Sequence, residues 1–147
     1  VIVVDVNLLL YVVNHDLPQH PVARAWWEDV LSRHTPVGLA WGVVLAFLRI
    51  STHPRIFERP LTIESAAAYL DEWFAVPGVR PISPTHRHWE ILRPLVVQSG
   101  TGGNLTSDAH LAAITIEHGG TLYSADNDFK RFVGLVHINP LAPPPRG

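Results

Sequence analysis

The chain has 147 residues, 47% of them hydrophobic and 16% charged, with a net charge of −2. That length encloses a core without staples, and the apolar balance excludes a disordered chain. Cysteine is absent, which excludes disulfides and thiolate metal sites, and an acidic net charge argues against a general nucleic-acid coat protein.

Val1 to Val4 form a continuous β-branched run that meets a charge at Asp5, the pattern of a buried parallel strand. The run has no basic flank, so it does not read as a signal peptide, and no apolar stretch approaches the about 18 residues of a membrane span. A cytoplasmic location is expected. A helix follows from about Asn7, and another opens at Pro21, where Val22, Ala25, Trp26 and Val30 recur at helical spacing. Residues 36–40 suggest a short strand, and Gly42 to Ile50 an apolar helix. Residues 52–60, with Pro54 and Pro60, read as a loop. Thr62 is positioned to cap a helix running to about Phe74. A strand is expected over Val79 to Ile82, then a helix over Thr85 to Gln98 that Pro94 should kink or break. The three glycines between Ser99 and Asn104 indicate a loop. Thr106 to His118 form a helix closed by Gly119 and Gly120, followed by strands over Thr121 to Ala125 and Val136 to Ile138. Strands alternating with helices predict a parallel sheet covered on both faces, a three-layer α/β/α domain.

Three acids stand out by their placement. Asp5 and Asp126 each follow a strand, and Asp108 opens a helix. In an open α/β sheet the carboxyl ends of the strands share one edge, where ligands bind, so acids more than a hundred residues apart can converge there. Two carboxylates at ~4 Å repel by about 4 kcal/mol at an effective dielectric near 20, which favours protonation or a cation between them. An all-oxygen cluster selects a hard ion, Mg²⁺ or Mn²⁺, whose natural chemistry is phosphodiester hydrolysis. Each acid alone has a plainer reading: Asp5 as a turn or cap residue, Asp108 as a partner of the helix dipole, Asp126 and Asp128 as turn formers. The conjunction carries the chemistry.

Val3-Val4-Asp5-Val6-Asn7-Leu8-Leu9 resembles the opening strand and motif of PIN domains. Thr106 to Ala113, around Asp108, resembles their third acidic motif, and Ser124-Ala125-Asp126-Asn127-Asp128-Phe129 the segment that closes their site. Order and spacing are similar to those of VapC toxins of type II toxin–antitoxin systems, and Ala40 to Arg55 looks like a mycobacterial-type branch. The resemblance implies a single PIN-like nuclease domain over residues 1–141, with a Pro-rich tail at 142–147. It implies a Mg²⁺-dependent endoribonuclease that cleaves tRNA or rRNA, is restrained by a VapB-like antitoxin and forms a homodimer. Asp5, Asp108 and Asp126 would bind the ion directly or through water, and Asp128 would join them or orient a water. Asn7 and Ser124 would hydrogen-bond around the ion or the phosphate, unless they are simply polar turn residues.

One position departs from the family pattern. The helix after the second strand usually carries a Glu, and laying the motif over Val44 to Leu48 puts Phe47 there. Asp128 is the preferred substitute, ahead of Glu64 and Glu90. A PIN-like module that binds RNA or a partner without cutting is the alternative function. Arg49 is a candidate for holding the scissile phosphate, because the planar fork of arginine contacts a phosphate through two bonds; an ordinary salt bridge is the other reading. Nine histidines include no pair at i, i+4 with Glu between, so zinc is not expected. His110 is read as packing at the edge of the site. Trp26 and Trp27 point some 100° apart on a helix, so both cannot face one core stripe. Trp27 is the candidate for a groove that receives the antitoxin or a second subunit. Gly100 to Gly103 lack the Lys-Ser/Thr of a nucleotide loop and read as a linker.

Overall fold

A computed structural model describes residues 1–100 and 105–143. Five strands form one sheet in the order β3-β2-β1-β4-β5: β1 (Ile2–Val4), β2 (Val37–Ala40), β3 (Val79–Ile82), β4 (Thr121–Tyr123) and β5 (His137–Ile138). Every pairing is parallel. The helices are α1 (Val6–Val13), α2 (His20–Ser32), α3 (Trp41–Ser51), α4 (Ile63–Phe74), α5 (His88–Ser99) and α6 (Leu105–Glu117), with a 3₁₀ turn over Asn127–Arg131. None of these helices is long and apolar enough to cross a membrane.

The connections from β1 to β2 and β3 run one way along the sheet, and those to β4 and β5 run the other. Right-handed crossovers therefore lay α1 to α4 on one face and α5 and α6 on the opposite face. This is the three-layer domain expected from the alternation of elements. The direction of winding changes between β1 and β4, which are paired in register Ile2–Thr121, Val3–Leu122 and Val4–Tyr123. A crevice at the carboxyl ends of the strands opens at such a point.

Burial explains why these segments form. Val3, Val4, Leu8, Leu39, Ala112 and Leu122 are fully enclosed between the layers. Enclosing one Val or Leu side chain is worth about 1.5–3 kcal/mol. Asp5 caps α1, accepting from the Val6 N–H at 2.7 Å, and Thr62 caps α4, accepting from the Ser65 N–H at 3.1 Å. Gly119 ends α6 with φ +64°, a conformation in which a side chain would be strained. At Gly120 a Cβ would lie 2.8 Å from the Val1 carbonyl oxygen, so only glycine lets the chain turn into β4 this close to β1.

Two expectations are corrected. The fifth helix begins at His88, three residues later than Thr85, because Thr85 is held by Glu117 through its N–H and its hydroxyl. Pro94 does not break that helix. It is exposed, as is Glu90, whose carbonyl the missing N–H leaves for water. Of the glycine loop, residues 101–104 lie outside the described residues, as do residues 144–147 of the Pro-rich tail.

Candidate active site

Asp5 directly follows β1, half-buried, and both of its oxygens are used. Oδ1 takes the Val6 N–H and Oδ2 accepts from the hydroxyl of Ser124 at 2.7 Å. The cap reading of Asp5 thus holds, and its second oxygen is fixed by Ser124 at the carboxyl edge of the sheet. Ser124 follows β4 and is fully buried. Its Oγ also accepts from the Asp126 N–H at 3.0 Å and from Nδ2 of Asn7 at 3.3 Å, while Oδ1 of Asn7 accepts from the Ala125 N–H at 3.4 Å. One hydroxyl therefore ties the ends of β1 and β4 together and sets the directions of two acids. The side chain of Asp126 caps the 3₁₀ turn, accepting from the Asp128 N–H at 2.9 Å.

Asp108 comes from the other side, in the first turn of α6. With Asp5 and Asp126 it lines a cleft of ≈ 760 Å³ that Asn7, Arg49 and His110 also border. Burial, then the negative charges of Asp5, Asp126 and Asp128, push its carboxyl up to about 6, and Arg131 offsets this in part. Burial likewise raises Asp5; the bonds from Ser124 and Val6 counter it incompletely, and Asp126 adds to the rise. Three carboxylates from chain segments far apart thus feel one another across one crevice. Asp128 is exposed and does not line the cleft, although its charge reaches Asp108.

The cleft wall supplied by α3 is Gly42, Val43, Ala46, Arg49 and Ile50. Phe47 is not part of it. It is fully buried and packs on Trp73, ring centroids 5.2 Å apart. One residue along a helix turns about 100°, so Ala46, and not Phe47, holds the place from which an acid on α3 would reach the cleft. Glu64 and Glu90 are both exposed and outside it, Glu90 paired with Arg87 at 2.6 Å. The proposed partner-facing role of Trp27 is also corrected. Trp27 is 1% exposed and meets Trp73 edge-on, whereas Trp26 is half-buried and stacks on Tyr123.

Among the described residues, no three His, Asp or Glu side chains are gathered tightly enough to grip one ion together. A hard ion that keeps several waters asks for less, one or two carboxylates in direct contact and the others through water. An oxygen-only donor set in which burial and neighbouring charge raise Asp5 and Asp108 suits that arrangement.

Sequence reasoning missed a second polar group at the edge of the cleft. Glu117 binds Nδ1 of His88, and Nε2 of His88 lies 2.8 Å from Nδ1 of His110. Burial, then His88, pulls His110 below the usual imidazole range. Burial alone would raise Glu117, but the bonds from His88 and Thr85 outweigh it and hold the carboxyl below its usual range. The available signal was His110 and Glu117 at i, i+7, two polar residues two turns apart on one face of α6.

Fold and cleft together define a parallel α/β domain with an acidic cleft at its switch point. The PIN domain pattern matches residues 2–135. Ribonuclease VapC33 of Mycobacterium tuberculosis is 41% identical over 140 residues, 95% of this chain and 98% of that protein. Ribonuclease VapC37 of the same species is 42% identical, covering 95% of this chain and 97% of that one. The fold is also that of VapBC2 from Rickettsia felis, solved bound to a promoter DNA fragment, with a TM-score of 0.68 at 15% identity over 94% of this chain and 97% of that one. The chain belongs to the PIN-domain family, among its VapC ribonucleases.

Proposed function

We propose that this protein is a Mg²⁺-dependent endoribonuclease, the toxin of a type II toxin–antitoxin pair, which cleaves tRNA or rRNA and so stops translation. The observation that carries the reading is the convergence of Asp5, Asp108 and Asp126 on one cleft, with Asp108 pushed up to about 6 by burial and its acidic neighbours. Asp5, Asp108 and Asp126 would hold a hard divalent ion, Mg²⁺ or Mn²⁺, directly or through water, and Asp128 would contribute charge or orient a water. Bound there, the ion would supply an activated water and offset charge on the phosphoryl group. Ser124 fixes the rotamer of Asp5, and Asn7 fixes Ser124; such supporting bonds set the precision of a metal site. Arg49, exposed on the cleft wall, contacts the phosphate that the acids by themselves would repel. Family membership further supports a VapB-like antitoxin as partner and a homodimer as the working form.

Asp5→Asn should abolish RNA cleavage and cellular toxicity while the circular-dichroism spectrum stays native. Cleavage by that variant at the wild-type rate would overturn the assignment. A second reading, a PIN-like module that binds RNA or a partner without cutting, is favoured by the absence of a carboxylate among the α3 residues that line the cleft. Titrating Mg²⁺ into the purified protein with bulk tRNA and following cleavage separates the two.

A further inference from the structure

The ladder between β4 and β5 stops one rung short. The Leu122 N–H donates to the Val136 carbonyl at 2.9 Å and the Ser124 N–H to the Ile138 carbonyl at 3.1 Å, the spacing of a parallel pair. The next rung would bring the N–H of residue 140 to the Ser124 carbonyl, but residue 140 is a proline and has none. A side chain takes its place. Nε2 of His137 lies 3.0 Å from that carbonyl. A carbonyl only accepts, so this nitrogen carries the hydrogen whether the ring is neutral or charged. Next along, Nδ2 of Asn139 donates to the Ala125 carbonyl at 3.3 Å and to Oδ1 of Asn127 at 3.2 Å. Oδ1 of Asn139 accepts from the Leu141 N–H at 3.0 Å, which orients the amide.

With the bonds from Asn7, Ser124 and Phe129, this clamp engages every backbone N–H and C=O from Ser124 to Asp126. That stretch lies between the end of β4 and the 3₁₀ turn, and it delivers Asp126 to the cleft. No strand or helix sets its direction, so the bonds from side chains do. His137 and Asn139 stand outside the cleft wall. Nδ1 of His137 is enclosed and has no partner among the described residues, a cost that an apolar residue of similar size would avoid. What the imidazole offers in return is the bond to Ser124.

We infer that His137 and Asn139 are positioning residues of the metal site: from the end of β5 they hold the Ser124–Asn127 backbone so that Asp126 and Asp5 face one hard divalent ion. The inference rests on the ribonuclease reading above and adds to it the source of the site's rigidity.

The test uses the full chain and Mn²⁺ alone, with binding read by electron paramagnetic resonance in the absence of RNA, beside thermal midpoints and Mg²⁺-dependent cleavage of tRNA. His137→Leu keeps bulk and loses the donor. It should weaken Mn²⁺ binding about tenfold, the low end of the effect of removing an outer partner of a metal-binding side chain. Asn139→Ala should do likewise. His137→Gln, whose amide nitrogen can stand in for Nε2, should restore most of the affinity. Val30→Ala, a core change in α2 away from the cleft, should lower the thermal midpoint and leave Mn²⁺ affinity as it was, which separates positioning from stability. Coupling is reciprocal, so in the unmodified protein Mg²⁺ should slow solvent exchange of the His137 Nε2 proton more than that of the Leu70 amide in the core, a readout that needs no variant to fold. Mn²⁺ affinity unchanged in either His137→Leu or Asn139→Ala overturns the inference. So does a loss in His137→Gln equal to that in His137→Leu, or Mg²⁺ that slows the two protons alike or not at all. Any of these results with an unmodified protein that cuts RNA overturns this inference alone. Failure of the unmodified protein to cut any RNA overturns the ribonuclease reading, and this inference with it.

Discussion

The hydroxyl of Ser124 donates to Oδ2 of Asp5 at 2.7 Å across 119 positions of sequence, joining the carboxyl ends of β1 and β4. The same oxygen receives the Asp126 N–H and Nδ2 of Asn7. Ser124→Ala leaves two donors and one carboxylate oxygen without their partner in a buried setting, a loss of about 1–3 kcal/mol. It should also lower Mg²⁺-dependent cleavage by about 10–100-fold, the usual effect of removing a group that orients a metal-binding side chain. Urea denaturation and initial rates on tRNA check the two effects separately.

Stability of the metal-free protein should fall as pH rises from about 4 to about 6 and level off above that. Asp108 has a folded value of about 6 against its ordinary 3.8, so between these pH values the folded chain keeps a proton that the unfolded chain has released. Its contribution therefore favours folding at low pH and is lost as pH rises through about 6. Asp108→Asn removes this slope. Thermal midpoints of both proteins in EDTA between pH 4.5 and 8 decide the point, and parallel curves would count against it.

Mg²⁺ should act in the opposite sense. An ion that binds the folded cleft raises the midpoint by mass action, and at pH 7.5 it relieves the repulsion among Asp5, Asp108 and Asp126. The increment should shrink at pH 5, where Asp108 is protonated, and disappear in Asp5→Asn. Differential scanning fluorimetry with 10⁻³ M-range Mg²⁺ titrations, roughly the regime of weak carboxylate sites, reads both arms.

Neighbouring positions on α3 should respond in opposite ways. Ala46→Glu places a carboxylate on the cleft wall and should raise Mg²⁺ affinity severalfold in calorimetric titration. Phe47→Glu puts a charge into the core beside Trp73 and should yield unfolded protein.

Trp27→Ala should cost about 3–5 kcal/mol of folding free energy, the range for removing a large core aromatic. Any weakening of antitoxin binding by this variant should be matched by its loss of native signal in urea.

The order of strands and helices was legible because burial on two faces leaves a continuous apolar strand, as in Val1 to Val4, and burial on one stripe leaves helical spacing, as in Val22 to Val30. The acids were legible as well, since a charge directly after such a strand has few places to go except the sheet edge. What sequence could not decide was rotation and reach. Whether Phe47 or Ala46 faces the cleft, and which of Trp26 and Trp27 enters the core, turns on about 100° of helix phase that periodicity blurs. The pairing of His88 with His110 and Glu117 depends on how α5 docks on α6, a contact between separate helices with no local signature. Local pattern follows from each segment's own contact with water, whereas a site made by distant segments exists only once their packing has set the distances.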